Sequence, residues 1–223
     1  MLGNAIGRYC YVSTVVASTA TGDGDHYAAR KRDAERFVHR CGQRGLVVRL
    51  GLVLGPREYC GRLPYWLQNL ASGLPVVAPG RPGRPIRYVD VRDAAETILA
   101  LAAQDCLGTR SLTSTPAGSA TFGALLAAGA SAVGCSRPIT WVADDVLHPH
   151  CTPWTDIPLW IPENGMDFDI YAQEGDVVPE GLGRTGLQTA ADTWDWLTRP
   201  SAVAAVEQRG WLSPAQVAAL AGA

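Results

Sequence analysis

Tyr27 and Lys31 stand four residues apart near the start of the chain, in "YCYVSTVVASTATGDGDHYAARK", residues 9–31. On a helix that spacing puts both side chains on one face, one turn apart. A phenol, with a reference pKa of about 10, is a poor proton carrier at neutral pH. A neighbouring ammonium favours the phenolate and lowers that value. A hydroxyl at the end of the preceding apolar run, Thr14 with Ser13 beside it, could hydrogen-bond the carbonyl or alcohol oxygen of a small molecule. These are the parts of a proton-transfer site. The same residues also fit a tyrosine that caps a core edge beside a solvated lysine, and the spacing alone does not choose between the two.

Such a site needs elements to hold it. "RYCYVST" is apolar, β-branched and aromatic, which suits a buried strand. "ASTATGDGD" is a loop by composition, and Asp25 or His26 opens a helix from about Tyr27 to Cys41. In it Ala34, Phe37, Val38 and Cys41 recur at three- and four-residue steps as an inward stripe, with Arg30, Lys31, Arg32, Asp33 and Glu35 largely outside. Gly42 and Gly45 end it. "LVVRLGLVL" reads as one further buried strand, closed by Gly55-Pro56. A helix over "LPYWLQNLASG" stops at Gly73. A strand, a Gly/Pro/Arg loop, a short strand at Ile86–Val89 and a helix from Val91 follow. "TRSLTST" reads as a strand, "TFGALLAAGASAVG" as a helix and "PITWV" as a strand. Strands alternating with amphipathic helices predict a parallel α/β sheet. From about Asp144 a proline- and tryptophan-rich segment predicts an ordered loop lobe, followed by helices in "LQTAADTWDWLTRP" and "LSPAQVAALAGA", the last capped by Ser213 before Pro214.

Composition sets the frame. At 223 residues and 47% hydrophobic the chain can bury a substantial core. A formal net charge of −2 gives no electrostatic case for nucleic acid or an anionic membrane. No apolar run approaches the ~20 residues a membrane span needs. The six cysteines are dispersed with no C-x-x-C pair, so free thiols and a cytoplasmic location are expected.

The motifs "YVST", "YAARK", "VVRLGLVLGP" and "LPVVAPGRPGRPIRYVDVRDAAETI", in that order, resemble the extended or atypical short-chain dehydrogenases/reductases, in their NAD-dependent epimerase/dehydratase branch. The later "TFGALLAA", "ITWV" and "PWTDIPLWIPE" resemble one bacterial subgroup, described as NAD-dependent epimerase or reductase-like, and the likeness covers nearly the whole chain. The resemblance implies an incomplete Rossmann-like parallel sheet with flanking helices over residues 1–115. It also implies a smaller C-terminal substrate lobe with terminal helices over 116–223. By resemblance Thr14, Tyr27 and Lys31 form the catalytic triad. Tyr27, Lys31, Leu50 and Gly51 would face a nicotinamide cofactor, NAD or NADP, with Leu50 where the family usually has proline. Ser13, Arg87, Trp154 and Trp160 would contact the substrate. Asp90 and Asp93 read as structural caps.

The family opens with a strand, a G-x-x-G-x-x-G turn and a helix that carries the pyrophosphate. That segment, about three βα units of roughly 30 residues each, is missing from these residues, and the loop between Thr14 and Tyr27 is shorter than the family's. Three readings stay open. The first is a short-chain dehydrogenase/reductase-type enzyme acting on a small molecule. The second is a cofactor-independent cyclase, isomerase or dehydratase on a degenerate scaffold. The third is a non-catalytic fragment or partner subunit. "HPHC" (His148, His150, Cys151) has metal-like residue types without an evident fourth ligand, and no metal is expected. Arg81, Arg84 and Arg87 could grip a phosphate or carboxylate, or form a solvated loop. The loss of the family's opening strands leaves "YCYVST" at a sheet edge without lysine or proline between Tyr9 and Thr14, which predicts a homodimer.

Overall fold

The computed structural model describes residues 7–18, 26–104, 106–114, 121–163, 176–177, 183–199 and 210–220. Of the loop expected over Ala17–Asp25, residues 19–25 lie outside them, and Ala17 and Ser18 end a short helical turn, Val15–Ser18. The chain forms two units interleaved along the sequence: residues 1–53, 87–116 and 170–183 in the first, and 54–86, 117–169 and 184–223 in the second.

In the first unit, β1 (Tyr9–Thr14) runs parallel to β2 (Gly45–Leu50), from Tyr9 opposite Gly45 to Thr14 opposite Leu50. On the other side of β2 lies β6 (Gly108–Ser114), also parallel, and then β8 (Asp176–Val177), giving the order β1-β2-β6-β8. Leu46, Val47 and Val48 of β2 are fully buried, as in a central parallel strand covered on both faces. The outer strand, β1, keeps Tyr9 and Val12 exposed. Helix α1 (His26–His39) packs on β1 and β2, and α3 (Val91–Ala103) on β2. Asp90 caps α3 by accepting from the Arg92 amide at 2.9 Å, which is the structural role its position suggests. Residues 46–54 are two strands, not one. At Gly51 the chain leaves the sheet, its amide donating to Leu112 O at 2.9 Å, so close to β6 that a Cβ there would sit 3.3 Å from Thr113 Cα. Beyond it, β3 (Leu52–Leu54) pairs with β5 (Tyr88–Asp90), the short strand expected slightly earlier, at Ile86–Val89.

The second correction concerns α1. Its buried residues are Ala28, Glu35 and Val38, while Phe37 is 65% exposed and Cys41, just past its end, is exposed too. Of the expected stripe only Val38 is buried, and Glu35, expected outside, turns in against Arg49 of β2.

In the second unit, β4 (Val76–Pro79) pairs parallel with β7 (Ile139–Val142). Helices α2 (Arg62–Ala71), α4 (Phe122–Val133) and α6 (Gly186–Leu197) pack on one another, and α7 (Pro214–Leu220) packs on β4. Gly73, at φ +83°, turns the chain after α2 as expected. Ser213 caps α7 with Gln216 reciprocating: the Gln216 amide donates to Ser213 Oγ, and the Ser213 amide to Gln216 Oε1. The core is aromatic. Trp66 stacks edge-on against Phe122 at 5.4 Å, and Phe122 against Trp141 at 5.7 Å. After β7 comes a short helix α5 (Asp144–Leu147), which the sequence pattern does not signal, and then the loop segment 148–163.

Candidate active site

Tyr27 lies in the first turn of α1, 58% exposed, so its phenol can reach a ligand. One turn on, the Lys31 ammonium donates to the Val12 carbonyl of β1 at 3.1 Å. It lies 5.9 Å from the Tyr27 ring centre and 5.1 Å from that of Tyr11. The predicted pair is therefore together, and Lys31 is held between two aromatic rings. Burial, and then the charge of Glu35, push the Tyr11 phenol above its ordinary value.

Thr14, half-buried, is the last residue of β1 and lies in register with Leu50. Leu50 packs on both apolar clusters of this unit, against Leu46, Val48 and Leu112 and against Val89 and Ala94. Ser13 is buried, and its hydroxyl donates to Glu35 Oε1 at 2.6 Å. Arg49, in register with Ser13 on β2, forks onto the same carboxylate, Nε to Oε1 at 2.9 Å and Nη2 to Oε2 at 2.6 Å. Burial alone would raise the Glu35 pKa, but the bonds from Arg49 and Ser13, with the charges of Arg49 and His39, outweigh it and hold the carboxyl below its usual value. Sequence reasoning missed Glu35. The available signal was Arg49, a charge inside the apolar run "LVVRLGLVL" that needs a partner when buried.

Arg87 is half-buried at the start of the stretch leading to β5. Its sequence neighbours do not act with it as one basic run. Arg81 is exposed and pairs with Glu163 at 2.7 Å, and Arg84 is buried. Trp154 and Trp160 belong to the second unit. Trp160 is fully buried and donates its indole N–H to Asp144 Oδ1 at 2.7 Å, while Trp154 is half-buried with φ +65°. His148 lies against the Trp160 ring at 5.1 Å, and burial, then Asp156, raises the Cys151 thiol. Among the described residues no three His, Cys, Asp or Glu side chains gather as a metal site, and no helix is long and apolar enough to cross a membrane.

This is a parallel α/β protein with flanking helices and a Tyr-x-x-x-Lys pair at the end of an outer strand. The profile of the NAD dependent epimerase/dehydratase family matches residues 13–109, from Ser13 through α1, β2 and α3 to the start of β6. That stretch, less than half of the chain, is similar to this family. Several solved structures share the fold. UDP-N-acetylglucosamine 4-epimerase from Methanobrevibacter ruminantium, in complex with UDP-N-acetylmuramic acid, is 16% identical, with a TM-score of 0.56 over 87% of this chain and 64% of that one. The Bordetella bronchiseptica enzyme WbmF, in complex with NAD+, is 14% identical, with a TM-score of 0.61 over 91% and 62%. The dTDP-glucose 4,6-dehydratase from Bacillus anthracis, in complex with NAD, is 15% identical, with a TM-score of 0.54 over 87% and 62%. The chain spans less than two thirds of the length of each. Comparison with curated proteins gives no match.

The family name implies a nicotinamide dinucleotide, which needs donors at two ends. For one end there are Tyr27 and Lys31. For the pyrophosphate, the 223 residues contain no G-x-x-G-x-x-G turn, and the Gly51 amide is already engaged by Leu112. A G-x-G-x-x-G does occur at 181–186, leading into α6. There Thr185 and Gln188 form a capping box that occupies first-turn amides, which leaves less for a phosphate.

Proposed function

We propose that the chain is a short-chain dehydrogenase/reductase-type protein of the epimerase/dehydratase kind, acting on a small molecule by proton transfer at Tyr27. The observation that supports this most is the placing of Lys31, tied to the β1 carbonyl and one helical turn from an accessible phenol. In this reading Tyr27 gives or takes the proton of the substrate oxygen. Thr14 hydrogen-bonds the same oxygen, and Arg87, in the same unit, contacts the substrate. Tyr27, Lys31, Leu50 and Gly51 face the nicotinamide end of NAD or NADP. A nucleotide-linked sugar is the substrate class to try first, as one structural neighbour holds UDP-N-acetylmuramic acid. A homodimer across the outer strand β1, where Tyr9 and Val12 are exposed, belongs to the same proposal, and light scattering that gives a monomer at micromolar concentration would remove it.

A second reading is a cofactor-independent cyclase, isomerase or dehydratase, in which Tyr27 works without a dinucleotide. The two are separated by incubating the chain with UDP-N-acetylglucosamine, UDP-glucose or dTDP-glucose, with and without NAD+ or NADP+, and resolving the products by chromatography. The first reading expects product only when the dinucleotide is supplied at millimolar concentration, since calorimetry should give a Kd no tighter than about 1 mM. Turnover without it favours the second reading. No product under any condition counts against both.

A further inference from the structure

Tyr27, Lys31 and Glu35 follow one another at steps of four and form a single ridge on α1. Two members of this ridge are tied to the sheet at adjacent positions. Lys31 bonds the Val12 carbonyl, and Glu35 accepts from Ser13 and from Arg49, residues that face each other across β1 and β2. Neighbouring strands thus present a hydroxyl and a guanidinium to one carboxylate, which is 2% exposed. Packing alone would not choose this arrangement. Of the apolar stripe only Val38 is buried, while Phe37 is left 65% exposed and the Glu35 charge is buried beside it. A buried ion pair is no more stabilising than a well-packed apolar pair of the same volume. What the pair adds is direction, because the fork of Arg49 accepts a carboxylate in one plane only.

The geometry points to a positioning role for Glu35, held by Ser13 and Arg49. The network fixes the rotation of α1 so that Lys31 and Tyr27, one and two turns before it, stand over the end of β1. The inference rests on the proton-transfer reading given above, but its test does not. Of the 19 lysines and arginines in the chain only Lys31 is a lysine, so lysine labelling with carbon-13 gives a reporter at this one side chain. The rings of Tyr11 and Tyr27 beside the ammonium should shift its methylene protons upfield of free lysine. The variant to compare is the double apolar replacement Glu35→Leu with Arg49→Met, which keeps volume and should still fold and melt cooperatively.

The expected result is a folded double variant whose Lys31 signals return to the free-lysine position. In the sugar-nucleotide assay it should lose kcat with KM retained. Unchanged Lys31 signals in the folded double variant would overturn the positioning role, since only packing would then be at stake. Should the double variant unfold, Glu35→Gln is compared in the same way: it keeps the volume and loses the ion pair, so a displaced Lys31 signal supports the role and an unmoved one overturns it. If the wild-type chain turns over no substrate, the proton-transfer reading fails by itself and the spectrum still decides the positioning.

Discussion

Two arginines, one in each unit, solve different problems. In the second unit, Arg84 is 1% exposed, with no carboxylate bonded to it among the described residues. It donates to the carbonyls of Leu159 at 3.1 Å and Ile161 at 2.8 Å, and its guanidinium lies 4.6 Å from the Phe122 ring centre. Burial pulls its pKa down to about 10, with the charges of Asp144 and Glu163 acting the other way. The segment it serves has no sheet ladder to meet its carbonyls, and Leu159 sits there at φ +63°. In the first unit, Arg49 is partly exposed and grips a carboxylate, whose hydrogen bond raises its own pKa. Arg84 replaces secondary structure that the loop lacks. Arg49 selects one of two faces that a helix could bury. The same side chain is therefore a matter of stability in one unit and of orientation in the other.

The comparison can be broken most sharply at Arg84. Arg84→Met keeps much of the volume and leaves two buried carbonyls unmet, so denaturant unfolding should show a loss of about 3–5 kcal/mol. A loss under ~1 kcal/mol would mean that the loop holds itself. Glu35→Gln should destabilise less, by about 2–3 kcal/mol at pH 7, because Arg49 keeps some access to water. This effect must depend on pH. The Glu35 carboxyl is held below its ordinary value when folded, so its contribution is complete above the unfolded pKa of about 4.3 and is lost as pH falls through the lower folded value. Melting temperatures of the wild type and Glu35→Gln should converge as pH drops below about 4, and a constant gap would contradict the assignment. The smallest effects test the rotation of α1. Val38→Ala should cost about 1–2 kcal/mol, while Phe37→Ser should stay within about 0.5 kcal/mol, and the reverse order would put Phe37 on the buried face.

The parallel α/β class, most elements and the Tyr27–Lys31 pair could be read from the sequence because they depend on local pattern: apolar runs, capping residues and a one-turn spacing. The rotation of α1 could not. Ala34, Phe37, Val38 and Cys41 make a regular stripe, and only a partner in the sheet, Arg49, accounts for burying Glu35 beside Val38 with Phe37 left outside. The break at Gly51 was hidden for a similar reason, since Leu46–Leu54 is apolar on both sides of it and the Leu112 carbonyl that receives the Gly51 amide lies about sixty residues on. Arg84 and Arg81 read alike in "GRPGRPIR", and only the fold separates the buried one from the exposed one.

Turnover of the Tyr27→Phe variant tests the central claim most directly. In whichever arm of the sugar-nucleotide assay the wild-type chain gives product, removing this one hydroxyl should leave the melting temperature unchanged, since the residue is 58% exposed, and lower kcat by about 10²–10⁴-fold. A Tyr27→Phe protein with wild-type turnover would contradict the account and leave the Tyr27–Lys31 pair without a catalytic role.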